Sequence, residues 1–233
     1  FGKVLKEGFM QDPENLERLK KLILFQTTRD PSALSSFREY RDRMPADQED
    51  IWFLTGESRK TIENSPHIES LKSRNYEVIL FTDPIDEFAT GQIDTFDEKP
   101  FKSAAKGEIA PPDQKKKDEF ASLLEFLSNT LKGQVREVRL SPRLKASAVC
   151  LVTEEHGMAA HIEKLLKASN QPIPEQKRVL ELNPDHPLTS HMQKMFDANR
   201  TDPKLDEYAT LLYGQAALTE GVPLPDPVKY ANL

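Results

Sequence analysis

The sequence has little of several features that define common protein classes. Its 233 residues include a single cysteine, Cys150, so an intrachain disulfide is excluded. The nine glycines are scattered and form neither a phosphate-cradling loop nor a dinucleotide-binding fingerprint. No run of residues is long and apolar enough to span a membrane, and the amino terminus does not resemble a signal peptide. These absences predict a soluble protein of a reducing compartment that does not contact a membrane.

The chain also lacks the patterns that carry catalytic or metal chemistry. It contains no Gly-x-Ser-x-Gly elbow, which positions the nucleophile in many hydrolases. Its two close histidine pairs, His156/His161 and His186/His191, are each spaced by five residues. On a helix of 3.6 residues per turn, that spacing separates the two rings by about 140°. The sequence therefore predicts no catalytic, cofactor-binding or metal-binding residue.

The charge balance is acidic, with 38 Asp and Glu residues, 32 Lys and Arg residues and a formal net charge of −6. Nucleic-acid binding depends on a positive surface, so this balance argues against a nucleic-acid partner. The basic run Lys115–Lys117 is followed at once by Asp118 and Glu119. That order is typical of the solvated start of a helix.

Residues 1–44 are predicted to be helical. Leucines and an isoleucine recur at helical spacing over residues 16–23, after the helix-start signal Asp12-Pro13. Asp30-Pro31 interrupts this helix, and residues 36–43 are compatible with another short one.

Residues 45–106 are predicted to form a small α/β subdomain. The apolar runs 51–54 and 76–82 have the composition of buried strands. Between them, Ser65-Pro66 provides a serine cap and a proline at the first helical position. A strand, helix and strand of this length predict a right-handed crossover and a parallel strand pair.

Residues 107–112 are predicted to be a linker because this stretch is short, rich in proline and poor in apolar groups. Residues 113–233 are then predicted to form an α+β domain. An apolar helical face that begins at Phe120 precedes Gly133, which is expected to cap the helix in a left-handed conformation. Strands are predicted around 135–140 and 146–153, a helix over 156–169, and further helices towards the end of the chain.

One short segment of the predicted third domain has an apolar stripe. Its members lie at i, i+4, i+7 and i+8, which is one face of a helix: Met158, Ile162, Leu165 and Leu166. Two interpretations are open on the residues alone. The stripe either packs in the core or forms a surface for varied apolar partners, a role that Met and Leu side chains suit because they repack readily.

The last long helical segment has a similar ambiguity. Its apolar positions are Leu205, Tyr208, Leu211, Leu212 and Leu218. Gly214, Ala216 and Ala217 are small enough to let another helix approach closely. The segment either contributes to a symmetric dimer bundle or caps its own domain.

Seven motifs occur in order along the chain, at residues 1–8 (FGKVLKEG), 22–28 (LILFQTT), 51–58 (IWFLTGES), 64–69 (NSPHIE), 77–87 (EVILFTDPIDE), 138–144 (VRLSPRL) and 180–188 (LELNPDHPL). This series resembles the ninety-kilodalton heat-shock chaperone (Hsp90) family. The second motif, LILFQTT, stands where the family has Leu-Leu-Arg-Phe-x-(Ser/Thr). Together the motifs extend over nearly the whole chain, and the resemblance is greatest to the bacterial form of the family, with the mitochondrial form as the alternative.

The resemblance implies a role as a piece of a stress-response chaperone that assists protein folding in the bacterial cytoplasm. Residues 1–106 would be the rear of the middle domain and residues 113–233 the carboxy-terminal dimerisation domain. The domain that binds ATP and Mg²⁺, and the arginine that reaches the ATP γ-phosphate, are expected outside this chain. We therefore expect ATP hydrolysis by the longer parent and not by this chain, which needs no cofactor of its own.

The resemblance also implies roles for the two apolar faces. The first would contact unfolded or partly folded client proteins through Met158, Ile162, Leu165 and Leu166. The second would form a homodimer interface through Leu205, Tyr208, Leu211, Leu212 and Leu218. Two rival hypotheses remain: a purely structural dimerisation module with client binding elsewhere, and an enzyme such as a small α/β hydrolase or a nucleotide-using domain.

Overall fold

The computed structural model describes residues 2–111, 113–171 and 176–233. Contacts between Cα atoms divide the chain into two compact units, residues 1–105 and 106–233. Each unit combines helices with a small mixed sheet, which confirms the predicted α+β class. No helix in the described ranges is both long and apolar enough to cross a bilayer.

The first unit alternates short helices and strands. Its helices are α1 (Gly2–Gln11), α2 (Leu16–Leu22), α3 (Phe37–Arg43), α4 (Arg59–Glu63), α5 (Glu69–Ser73) and α6 (Asp86–Thr90). Its strands are β1 (Gln26–Thr27), β2 (Ile51–Thr55), β3 (Ile79–Phe81), β4 (Thr95–Phe96) and β5 (Lys99–Ser103). Single 3₁₀ turns at Pro13–Asn15 and Pro66–Ile68 lead into α2 and α5.

The sheet of the first unit has the strand order β1-β3-β2-β5-β4. Strands β2 and β3 are parallel and are joined through α4 and α5, which confirms the predicted strand–helix–strand crossover. The Ser65 hydroxyl accepts a hydrogen bond from the His67 amide, with Pro66 next to it, so the predicted cap exists but begins a 3₁₀ turn. Strand β2 is buried over Ile51–Leu54, as expected for a strand covered on both faces.

Residues 1–44 contribute to the same sheet and core as the rest of the first unit. Strand β1 pairs antiparallel with β3. The ring of Phe25 lies 4.8 Å from that of Phe37 in an edge-on contact, and Phe53 stacks on Phe101 at 4.3 Å between centroids. Helix α3 occupies the predicted position, and a capping box between Ser36 and Glu39 satisfies the backbone donors at its start.

The second unit places four longer helices around a three-stranded sheet. Its helices are α7 (Gln114–Thr130), α8 (Ala160–Ala168), α9 (Pro187–Ala198), α10 (Pro203–Glu220) and the short α11 (Pro227–Ala231). Its strands are β6 (Val135–Leu140), β7 (Val149–Val152) and β8 (Arg178–Leu182), in the order β6-β8-β7. Strand β8 is parallel to β6 and antiparallel to β7.

The core of the second unit lies between this sheet and three helices. Helix α7 packs on β6 and α10 packs on β7, while α9 contacts both helices. The apolar face that begins at Phe120 is buried in this core, as predicted. Gly133 adopts a φ of 97° in the turn after α7, where the sequence predicted a left-handed residue.

Candidate functional site

The segment with the apolar stripe differs from its prediction in two respects. Helix α8 begins at Ala160, so the prediction that Met158 lies on this helix is wrong. Ile162 is only 2% exposed, so it faces the interior and not a surface stripe. Leu165 is 47% exposed, whereas Met158 and Leu166 are half-buried. The physical reason is that a short helix docked on a domain must bury one side, and Ile162 lies on that side.

A glycine fixes the path of the chain into α8. A Cβ atom on Gly157 would lie 2.4 Å from Cγ2 of Thr153 and 3.1 Å from Oε1 of Gln176. The same Gln176 oxygen accepts a hydrogen bond of 2.9 Å from the Met158 amide. Any larger residue at position 157 would displace this segment. Gly157 therefore lets Met158 lie close to Gln176, in the residues that precede α8.

A buried ion pair attaches the first turn of α8 to the sheet. Nη2 of Arg178, in β8, donates to Oε1 of Glu163 over 2.8 Å and to the Met158 carbonyl over 3.3 Å. The side chains of Arg178 and Glu163 are 5% and 11% exposed. No local sequence pattern indicates this pair, because the two residues are adjacent only in the tertiary structure.

The predicted interface residues on α10 divide between core and surface. Leu205 and Leu212 are 0% and 1% exposed within the core of their own unit, so in this conformation they are not available to a second chain. Tyr208 and Leu211 are half-buried, and Leu218 is 57% exposed. Because α10 packs on β7, the face containing Leu205 and Leu212 is used within the chain.

The small residues of α10 serve contacts within the chain. A Cβ atom on Gly214 would lie 2.2 Å from Cε2 of Tyr230, so the glycine lets the tyrosine ring of α11 rest directly on the α10 backbone. Ala216 and Ala217 are buried in the core. On and beyond α11, Val228 is 70% exposed and Leu233 is 42% exposed, and neither was predicted as an interface residue.

A second buried charge cluster joins β6 and β8 to the chain near the start of the second unit. Glu181 is fully buried and accepts from Arg143 Nε at 2.8 Å, Arg139 Nη2 at 2.9 Å and the Ser141 hydroxyl at 2.7 Å. Arg143 Nη2 also donates to the Gly107 carbonyl over 2.6 Å. The bonds tie β6 to β8 and hold Gly107, which follows the boundary between the two units, so the cluster has a structural explanation.

The first unit has a shallow cleft of about 370 Å³. Its charged lining consists of Arg29, Arg43, Lys72 and Glu77. Arg43 and Glu77 form a two-pronged ion pair, with nitrogen–oxygen distances of 3.0 and 2.7 Å.

Across the described ranges, no group of three or more His, Cys, Asp or Glu side chains is arranged to hold a metal ion.

The family model described as Hsp90 protein matches residues 1–233, so the chain belongs to the Hsp90 family. It is 44% identical to the protein named Chaperone protein HtpG from Geobacter metallireducens and 43% identical to that from Geobacter sulfurreducens. A third protein of that name, from Nocardia farcinica, is 40% identical. Each alignment covers 100% of this chain and 38% of the relative. The family and bacterial-form resemblance inferred from the motifs is thereby confirmed.

Proposed function

We propose that this chain is the dimerising and client-contacting part of an ATP-dependent chaperone, and that its clients are unfolded or partly folded proteins. The observation that carries the proposal is the match of the whole chain to the Hsp90 family, whose curated relatives are named as chaperones. The chain spans 38% of the length of those relatives. ATP and Mg²⁺ binding, and residence in the bacterial cytoplasm, are therefore proposed for the longer protein.

The exposed apolar residues of α10 and α11 support a homodimer. Leu218 and Val228 expose more than half of their surface, and Leu211 and Tyr208 are partly exposed on the same helix as Leu218. Positions 208, 211 and 218 fall within about 80° of one another around α10, given 3.6 residues per turn. An apolar strip of this kind suits a helix-to-helix contact between two copies of one chain.

Light scattering coupled to size-exclusion chromatography over a dilution series tests the dimer. We expect a mass close to twice the chain mass of 26.5 kDa at high concentration. Leu218→Asp should shift the dimer dissociation constant upward at least tenfold, because it would place a charge in an apolar contact. Leu22→Asp is the matched control, since Leu22 is 60% exposed in the first unit. A monomer at every concentration would contradict the dimer.

The exposed side of α8 supports client contact. Leu165 is exposed and Leu166 and Met158 are partly exposed, so an unfolded polypeptide can reach them without rearrangement of the domain. Complete burial of a fully exposed side chain of this kind contributes about 1.5–3 kcal/mol, so covering the exposed part of Leu165 contributes about half of that. Two copies in one dimer would bind a client weakly but twice, and the second contact gains from a high effective concentration.

Suppression of aggregation tests the client surface. A chemically denatured model protein is diluted into buffer with the chain, and light scattering is followed. We expect Leu165→Ser to require several times more chaperone for equal suppression, whereas Leu34→Ser, at a residue 57% exposed in the first unit, should match the unmodified chain. Equal suppression by Leu165→Ser and the unmodified chain would instead favour a purely structural dimerisation module. Turnover of ATP above a buffer blank would favour the enzyme hypothesis.

A further inference from the structure

Helix α8 presents its two central apolar residues very differently. Leu165 is 47% exposed, whereas Ile162, less than one turn earlier, is 2% exposed. The helix has nine residues, and isolated helices of that length are not stable in water. Among the described residues, no strand or other helix packs extensively against it. Its buried residues are Ile162 and Glu163. The position of α8, and with it the choice of which apolar residue faces outward, therefore depends strongly on the attachments that hold these two residues inward.

Arg178 makes two of these attachments with one guanidinium nitrogen. Its Nη2 donates to the Glu163 carboxylate in the first turn of α8 and to the Met158 carbonyl ahead of the helix. The Gln176 side chain adds a third bond, which it accepts from the Met158 amide at 2.9 Å. Glu163 directly follows Ile162 in the chain, so the bond that holds Glu163 inward also holds Ile162 inward.

The chemistry of this attachment favours two discrete positions of the helix over a gradual displacement. Both charges of the pair are removed from water, and each would be costly if its partner left while it stayed buried. The pair therefore separates only when α8 leaves the domain and Glu163 regains its hydration. Segments with few buried contacts are the ones that open locally while the rest of a domain stays folded.

We propose that Arg178 is a positioning residue for client contact: its pair with Glu163 keeps Ile162 covered, and release of the pair delivers Ile162 to the client. The proposal rests on the proposed function in its choice of an apolar polypeptide as the client. In the attached position the client surface consists of Leu165 with the partly exposed Met158 and Leu166. In the released position Ile162 joins it, and the apolar stripe found in the sequence becomes more continuous.

Hydrogen–deuterium exchange on the whole chain tests the attachment without any client. Glu163→Gln retains the side-chain shape and removes the charge, so amides within residues 160–168 should exchange at least tenfold faster. Amides of β6, β8 and α10 should exchange as in the unmodified chain. Lys167→Ala is the matched control, because it removes an exposed charge from the same helix. Arg178→Lys keeps the positive charge with fewer donors and should give a smaller change of the same sign.

The outcomes separate this inference from the proposed function. The inference would be overturned if the α8 amides of Glu163→Gln exchange at the same rate as those of the unmodified chain. It would also be overturned if exchange increases uniformly across the second unit, because that result indicates that the ion pair has a purely structural role. With selective release of α8, Glu163→Gln should suppress aggregation at a severalfold lower concentration, and Ile162→Ser in that background should abolish the gain. If Leu165→Ser weakens suppression while Glu163→Gln leaves it unaltered, the proposed function stands and the role of Ile162 falls.

Discussion

At the scale of single residues, one buried hydroxyl connects three parts of the first unit. The Tyr40 hydroxyl donates to the Glu77 carbonyl over 2.5 Å, and it accepts from Gln48 Nε2 at 2.9 Å and from the Trp52 amide at 3.2 Å. Tyr40 is 1% exposed and lies on α3, whereas Trp52 lies on β2. A buried polar group with three bonds of this kind fixes the position of a helix against a sheet, which apolar packing alone does less specifically.

The ionisation of Tyr40 gives a prediction about alkaline pH. Burial raises the pKa of Tyr40 from 10.0 to about 12. The hydroxyl of Tyr40 therefore loses its proton at a lower pH in the unfolded chain than in the folded chain. The contribution of the protonated hydroxyl to the free energy of unfolding is complete below about pH 10 and is lost as the pH rises towards 12. The difference between the tyrosinate absorbance titrations of the unmodified chain and Tyr40→Phe should therefore have its midpoint near 12. Tyr208→Phe is the control at a half-buried tyrosine, and a Tyr40 midpoint near 10 would contradict the prediction.

At the scale of elements, α10 and α11 approach closely because Gly214 of α10 has no side chain. Gly214 lies in the middle of an 18-residue helix, where glycine is unfavourable by about 1 kcal/mol relative to alanine. The contact of its backbone with the Tyr230 ring explains why the chain accepts that cost. The small residues of α10 predicted the close approach of another helix, and the helix that approaches Gly214 is α11 of the same chain.

The contact is tested by the effect of Gly214→Ala on stability, which should be destabilising when the Tyr230 ring is present and stabilising when it is absent. Gly214→Ala should lower the melting temperature and expose α11 to limited proteolysis, because the new methyl group overlaps Tyr230. In a chain that already carries Tyr230→Ala, the ring is gone and nothing opposes the new methyl group. Gly214→Ala should then raise the free energy of unfolding by about 1 kcal/mol, because alanine has the higher helix propensity. Gly2→Ala is the control, since its added Cβ meets no atom within 4 Å. Destabilisation in both backgrounds would show that another contact matters.

At the scale of the whole molecule, the two compact units have separate hydrophobic cores. The first core is built around phenylalanines on β1, α3, β2, β3, β4 and β5 and their flanks, and the second around α7, α9, α10 and a three-stranded sheet. The chain has one tryptophan, Trp52, and it is buried in the first unit. Trp52 fluorescence therefore reports on the first unit alone, whereas far-ultraviolet circular dichroism reports on both.

Loss of one buried charge should separate these two signals. Glu181→Gln removes the buried carboxylate charge that Arg143 and Arg139 share, and removal of one member of a buried pair costs about 3–5 kcal/mol. In urea, the circular dichroism transition of the second unit should move to lower concentration while the Trp52 transition stays in place. Glu137→Gln, at a half-exposed residue of β6, should change neither. Equal shifts of both signals would show that the units unfold together.

The sequence determined the family, the class of fold and most of the elements. Its ordered motifs identified the Hsp90 family, and local signals such as Asp12-Pro13 before residues 16–23 and the two apolar runs around Ser65-Pro66 predicted helices and a parallel strand pair. These features depend on neighbours in the chain, on caps, prolines and hydrophobic periodicity, so they can be read without the fold.

Only the tertiary structure decided which apolar residues face solvent. Hydrophobic periodicity does not distinguish Ile162 from Leu165, or Leu212 from Leu218. In each pair, however, the first residue is buried and the second is exposed. The difference arises from groups distant in sequence: Arg178 holds Glu163 inward, and β7 covers one side of α10. Apolar periodicity reports that a helix has an apolar face, whereas the share of that face left for a partner is set by what the rest of the chain already covers.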